Sequence, residues 1–335
     1  EELSLAIRAV VLLSALNIEE SAEFLQEHVL SYLYTIITDD DRNPTLRASV
    51  VTGYGLLQTM INTGSQGFGL DEKVKGILDV ATGAFASSEP SQAILATASL
   101  TAIGLIVSAI EARNRLIEEI LPEVIELLKS NQGEIVNAAG KLIALLYELY
   151  DYGYQYDEST YEDSTYTGVD GFRYQIPTVE NGELIYEIKA MSDTQGSKFE
   201  RGIKQEQRSV FRKILAFLEV HLQVIDSKKA YTEEGRLLAM DEAISHVRLS
   251  RNKAIKIETW NQLFLSSALK WLYAGGLATQ LANNDLIIDL VNFTGPDEHP
   301  DYPSNAIPTP QDEMREDAEN PASAKYIQKE KQRDT

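Results

Sequence analysis

Apolar residues recur at three- and four-residue spacing through segments 3–16, 18–38, 44–63, 71–87, 91–112, 114–130 and 132–150, and this period predicts a helix over each. Start signals separate the segments. Asn43-Pro44, Glu89-Pro90 and Asn131-Gln132-Gly133 precede helices, and Pro122 is expected in an early helical turn. Strand signals are nearly absent from this half. The pattern also repeats: SLAIRAVVLLSAL at 4–16 resembles TLRASVVTGYGLL at 45–57, and Ser91 to Leu105 is similar to Glu134 to Leu149.

The repeated units return about every 40–48 residues, the period of HEAT and armadillo helix pairs. A single pair cannot bury its apolar stripe alone, so neighbours must stack. Ala48, Gly53, Gly55, Ala96, Ala98, Ala138, Ala139 and Gly140 are small enough for close stacking. The expected fold is all-α: a HEAT/armadillo-like helical repeat (α-α superhelix) with a helical C-terminal region and an extended basic tail. An unrelated helical bundle is the alternative.

The periodicity divides the chain into four parts: a helical-repeat domain at 1–150, a loop at 151–182, a helical region at 183–293 and a tail at 294–335. The loop carries six acids and no base before Arg173, and nine of the sixteen tyrosines lie between Tyr147 and Tyr186. It reads as an acidic, Tyr-rich insertion, either simply solvated or used for protein docking or phosphorylation. Helical pattern resumes near Leu184 and is expected to continue to Val291. Six of the ten prolines fall from Pro296 onward, so the tail reads as extended, with a short basic helix expected at 324–334.

Composition narrows the chemistry. Acids outnumber bases 51 to 30 over 335 residues, for a net charge of −21, so a phosphate-binding surface must be local. Cysteine is absent, which removes disulfides, thiolate metal sites and cysteine nucleophiles, and fits a reducing compartment. No two of His28, His221, His246 and His299 stand at metal-ligand spacing. Gly64 and Gly69 have the glycine spacing of a phosphate loop, but Leu70 and Asp71 occupy the lysine and hydroxyl positions, so an interhelical turn is expected. No nucleophile elbow occurs, and carboxylate pairs do not stand out from the acidic background. No catalytic residue, metal or cofactor is assigned, and the chain is expected not to be an enzyme. Glu1 and Glu2 are acidic where a signal peptide would be basic, and the chain, which does not begin with Met, reads as an excerpt. Ala93 to Ile110 is expected to be a buried helix rather than a membrane span, because Thr97, Ser99, Thr101 and Ser108 interrupt it.

The informative segment runs from Lys198 to Leu222. At about 100° per residue, Arg201, Lys204, Arg208 and Arg212 form one stripe about 80° wide. Phe199, Ile203, Val210, Ile214 and Phe217 are expected opposite, with Phe211 and Leu218 on a flank. Guanidinium forks suit bidentate phosphate contact and lysine adds a point charge. The competing reading is a solvated face paired with nearby acids. Between Asp193 and Leu277, fourteen Lys or Arg against ten Asp or Glu give +4, leaving −25 for the rest. Arg248, Arg251, Lys253 and Lys256 form a second basic group in a connecting segment, and Lys325, Lys329, Lys331 and Arg333 a third in the tail. Three separated basic clusters on an acidic chain suit a structured polyanion better than free DNA. Trp260 and Trp271, in an expected helix from Ala254 to Ala274, read as packing residues, with base stacking as the alternative.

These residues carry a resemblance. KFERGIKQEQRSVFRKIL at 198–215 resembles the junction segment of the interferon-related developmental regulator family, where a basic stretch leads into Q-R-S-x-F-R-x-[IV]-L. IKIETW at 255–260, Gly275-Gly276, LANNDLIID at 281–289, the repeat at 48–57 and KEKQRD at 329–334 are similar to further segments of that family, so the resemblance spans nearly the whole chain. It implies a HEAT/armadillo-type helical protein without a catalytic site. Two roles follow. One is a ribosome-binding factor that occupies the tRNA and mRNA path of non-translating ribosomes and represses translation in the cytoplasm. Its partners would be ribosomal RNA and ribosomal proteins, the twelve basic residues above making the RNA contacts. The alternative is a nuclear transcriptional co-regulator that bridges transcription factors and deacetylase corepressor proteins. Neither implies a membrane or a small-molecule substrate.

Overall fold

The computed structural model describes residues 2–85, 87, 89–150, 165–167, 173–175, 177, 179, 181–193, 201–226, 243–248, 254–284 and 287. The chain divides into two compact units, Glu1–Ser245 with Lys256–Leu277, and His246–Ile255 with Ala278–Thr335.

The first unit opens with α1 (Glu2–Leu16) and α2 (Ile18–Phe24); a π-helical turn at Leu25–Val29 then leads into α3 (Leu30–Thr38). There follow α4 (Pro44–Asn62), α5 (Leu70–Gly83), α6 (Pro90–Ala109), α7 (Asn114–Glu126) and α8 (Gly133–Leu149). These helices coincide with the seven periodic segments to within a few residues. Local chemistry sets their starts. The Asn43 side chain accepts from the Thr45 and Leu46 N–H groups at the head of α4, and proline occupies the first position of both α4 and α6, where its missing N–H costs nothing. Gly64, Gly67 and Gly69 all take left-handed φ in the α4–α5 connection, so these glycines make the expected interhelical turn. Pro122 does not stand in an early turn: it lies well inside α7, which gives way to a 3-10 turn at Leu127–Lys129.

Packing orders the helices into rows. α4, α6 and α8 stack side by side, and α3, α5 and α7 pack along them as the outer members of successive pairs. This is the all-α helical-repeat arrangement. α6 touches α4, α5, α8 and, from the C-terminal region, α11 (Trp260–Tyr273), which explains why it is apolar all round. It is long and apolar enough to cross a membrane, yet 67% of its apolar window is buried among these neighbours. Close approach is set by small residues. A Cβ on Gly55 would lie 2.9 Å from the Ala102 backbone, and one on Gly140 would lie 2.8 Å from Phe211.

Three long helices follow in the first unit: α9 (Asn181–Asp193), α10 (Arg201–Asp226), which packs on α8 and α9, and α11, which lies against α1, α6 and α8. The capping box of Thr259 and Gln262 starts α11. Two expectations change. The segment read as an acidic loop contains a hairpin, β1 (Thr165–Thr167) paired antiparallel with β2 (Arg173–Gln175). The region read as helical to Val291 contains β3 (Ser245–Arg248) and β4 (Ala254–Ile257), which pair with each other. Along β3, Val247 is buried between exposed His246 and Arg248; along β4, Ile255 and Ile257 are buried and Lys256 is not. That two-residue alternation lasts only four residues per strand, too short to stand out against helical surroundings. The second unit holds most of β3, the first half of β4 and most of α12 (Leu277–Asn283).

Candidate nucleic-acid interface

α10 is a 26-residue helix fixed along one side. Gln207, Phe211, Ile214, Phe217 and Leu218 are buried, with Phe211 and Ile214 seated where Gly140 leaves room on α8. The Phe217 ring meets Trp260 at 6.1 Å, nearly perpendicular, the favoured edge-to-face geometry. Lys213 donates from Nζ to the Ile244 carbonyl at 2.7 Å and so ties the segment before β3 to α10.

The buried face centres on Gln207 and Ile214 and takes in Phe211 and Leu218, whereas Val210 is only partly buried. At about 100° per residue this turns the basic stripe from opposite the core to its shoulder. The cause is double packing: Gly140 admits Phe211 on one side and Trp260 draws Phe217 on the other. Arg208 is consequently half-buried, and Arg212, one turn on, is exposed. Arg201 and Lys204 stand in α10, but their side chains lie outside the described residues.

The second basic group is not a connecting segment throughout. Arg248 is exposed on β3 and Lys256 partly buried on β4, while Arg251 and Lys253 lie outside the described residues. So do Lys325, Lys329, Lys331 and Arg333, with the rest of the Pro-rich tail. The tryptophans are packing residues. Trp260 is 1% exposed, and Trp271 carries the Arg8 guanidinium 5.0 Å from its ring centroid.

Three residues that the sequence did not single out shape this unit. Glu148, at the end of α8, accepts from the Trp260 N–H at 2.7 Å and the Asn261 N–H at 2.9 Å, capping α11 across 112 residues of chain. Burial pushes its carboxyl up to about 7, against the opposing pull of the two backbone N–H groups. Arg47, 4% exposed, donates from Nε to the Ile37 carbonyl at 2.8 Å and pairs with Asp40 at 2.9 Å, closing the α3–α4 turn. Arg8 lines a groove of about 670 Å³ with Thr45, Ala48, Ile94 and Trp271. A second hollow of about 300 Å³ shares Thr97 and Glu134 with it and continues toward Lys141 and Phe264. The only sequence signals were a glutamate in an apolar run and arginines in apolar helices; the partners of Glu148 and Arg8 are too distant in the chain for spacing to reveal.

A family described as Interferon-related developmental regulator (IFRD) matches residues 1–219, which span α1 to most of α10 and include the Q-R-S-V-F-R run. The similarities noted at 255–260, 281–289 and 329–334 lie beyond that range. A search of curated proteins gives no match.

Proposed function

The chain belongs to the interferon-related developmental regulator family, and from that premise we propose that it is a non-enzymatic ribosome-binding factor. It would occupy the tRNA and mRNA path of non-translating ribosomes in the cytoplasm and repress translation by occupancy. The observation that carries the reading is on α10. Exposed Arg212 and half-buried Arg208 stand one turn apart on a helix whose other side is locked to α8 and Trp260. Cations on an immobilised rod lose little freedom when they meet a fixed lattice of phosphates, and arginine adds bidentate geometry. Arg201 and Lys204 extend the row. Arg248, Arg251, Lys253, Lys256, Lys325, Lys329, Lys331 and Arg333 are secondary contacts in this reading. No cofactor or small-molecule substrate enters it.

The test is co-sedimentation of the full chain with purified ribosomes. Reversing Arg201, Lys204, Arg208 and Arg212 to Glu should abolish it while far-ultraviolet circular dichroism stays unchanged. Because Arg208 is half-buried, a triple variant that spares it guards against misfolding. Ribosome binding by the folded triple variant at wild-type strength contradicts the assignment.

A second reading, a nuclear scaffold that joins transcription factors to deacetylase corepressors, draws support from the groove beside Arg8 and Trp271. It expects protein contacts that persist at high salt, where phosphate contacts fail.

A further inference from the structure

The groove on the α4–α6–α8 row has the marks of an unfilled binding site. Its walls are α1, through Arg8, and α11, through Trp271 and Phe264; its floor is the N-terminal half of each stacked helix. Arg8 is half-buried and stacked on Trp271, and among the described residues no carboxylate pairs with it. In a chain with 51 acids that isolation is informative. The Arg8 Nε, the Thr97 Oγ1 and the Asn137 Oδ1 are all buried without a hydrogen-bond partner, where native structures satisfy nearly every such atom. Ile94 is 54% exposed at the same place, although its neighbour Ala93 is buried. Apart from Arg8, Glu134 and Lys141 are the charges on the lining.

We infer that this groove receives a short peptide segment of a partner protein, with an Asp or Glu side chain on Arg8 and a neighbouring aliphatic side chain on Ile94. The reasons are complementary. A carboxylate supplies the partner that the Arg8 fork lacks, in a partly desolvated setting where charge-assisted bonds are strong. Trp271 already holds the guanidinium in place, so little order has to be gained on binding. A peptide backbone offers both donors and acceptors to Thr97 and Asn137. An RNA strand would bring a phosphate with every nucleotide, against a lining that is mostly apolar and carries Glu134. The volumes suit a few residues rather than a whole helix face. The site is separate from the α10 stripe, and the inference does not depend on ribosome binding.

The experiment is selection of a displayed library of random 12-residue peptides on the full chain, followed by titration of the best labelled peptide. Enriched peptides should share an acidic residue beside an aliphatic one. Arg8→Ala and Ile94→Glu should each weaken the peptide at least tenfold. Arg8→Lys, which keeps the charge but loses the fork, should weaken it several-fold at unchanged melting temperature. Arg115→Ala, on the exposed side of α7, should change nothing. Should Arg8→Ala fail to fold, Ile94→Glu and Arg8→Lys decide the matter. No enrichment, enrichment without acidic residues, or binding indifferent to Ile94→Glu and Arg8→Lys overturns the inference. So does an oligouridine probe that binds wild type and is lost with Arg8→Lys. None of these substitutions should alter ribosome co-sedimentation, so the two readings fail separately.

Discussion

A buried carboxyl group at the end of α8 caps the start of α11. Glu148 caps α11 through two backbone N–H groups, and its raised pKa makes that joint sensitive to pH. The folded value of about 7 lies above the ordinary 4.5, so the folded state holds the proton more tightly. Its contribution is fully present below about 4.5 and is lost as pH rises through about 7. Glu148→Gln cannot titrate and keeps one acceptor. Relative to wild type, this variant should therefore gain on the order of 1–3 kcal/mol between pH 5 and pH 8. Urea unfolding at both pH values measures the difference, and a flat one would show that burial does not govern the group. A second residue is strained by backbone rather than charge. Ala274 ends α11 at φ +47, a region alanine rarely enters. Ala274→Gly should raise stability by roughly 0.5–1 kcal/mol in the same assay. At this scale little was legible in advance. Glu148 reads as one more acid in an acidic chain, and the partners of Glu148 and Arg8 lie more than a hundred residues away.

Elements were far more legible, because each long helix repeats its signal over several turns. Segments 3–16 through 132–150 became α1 to α8, and the small residues predicted to permit stacking do so at Gly55 and Gly140. The strands escaped because β3 and β4 are four residues each. α10 buries Ile214 and Phe217 as expected, but its face is rotated toward Phe211 and Leu218 for a different reason. Periodicity located an apolar side, but which of Val210 and Phe211 faced inward depended on a gap at Gly140. Two glycines test the packing. Gly55→Ala places a methyl 2.9 Å from the Ala102 backbone and should cost about 1–3 kcal/mol despite better helix propensity. Gly83→Ala, at the exposed end of α5 with nothing within 4 Å, should instead stabilise by a few tenths to about 1 kcal/mol. Thermal unfolding of both variants checks the pair; a neutral or stabilising Gly55→Ala would mean that α4 and α6 do not approach so closely.

Across the molecule, charge is the organising quantity. The net charge of −21 repels polyanions at long range, so the proposed ribosome binding would have to come from cations held close to phosphate. The positive balance of residues 193–277 was legible from counting alone, and the described part of it puts Arg208 and Arg212 on an anchored helix and Arg248 on a strand. Counting could not show that Arg208 would be half-buried, because that follows from packing against α8 and α11. The most direct measurement is the affinity of the full chain for purified ribosomes across a salt series. Log K should fall linearly with log salt, with a slope shallower by about 0.7–0.9 for each phosphate contact removed in the Arg201→Glu, Lys204→Glu, Arg212→Glu variant. A salt-independent affinity, or a slope the variant leaves unchanged, would contradict it.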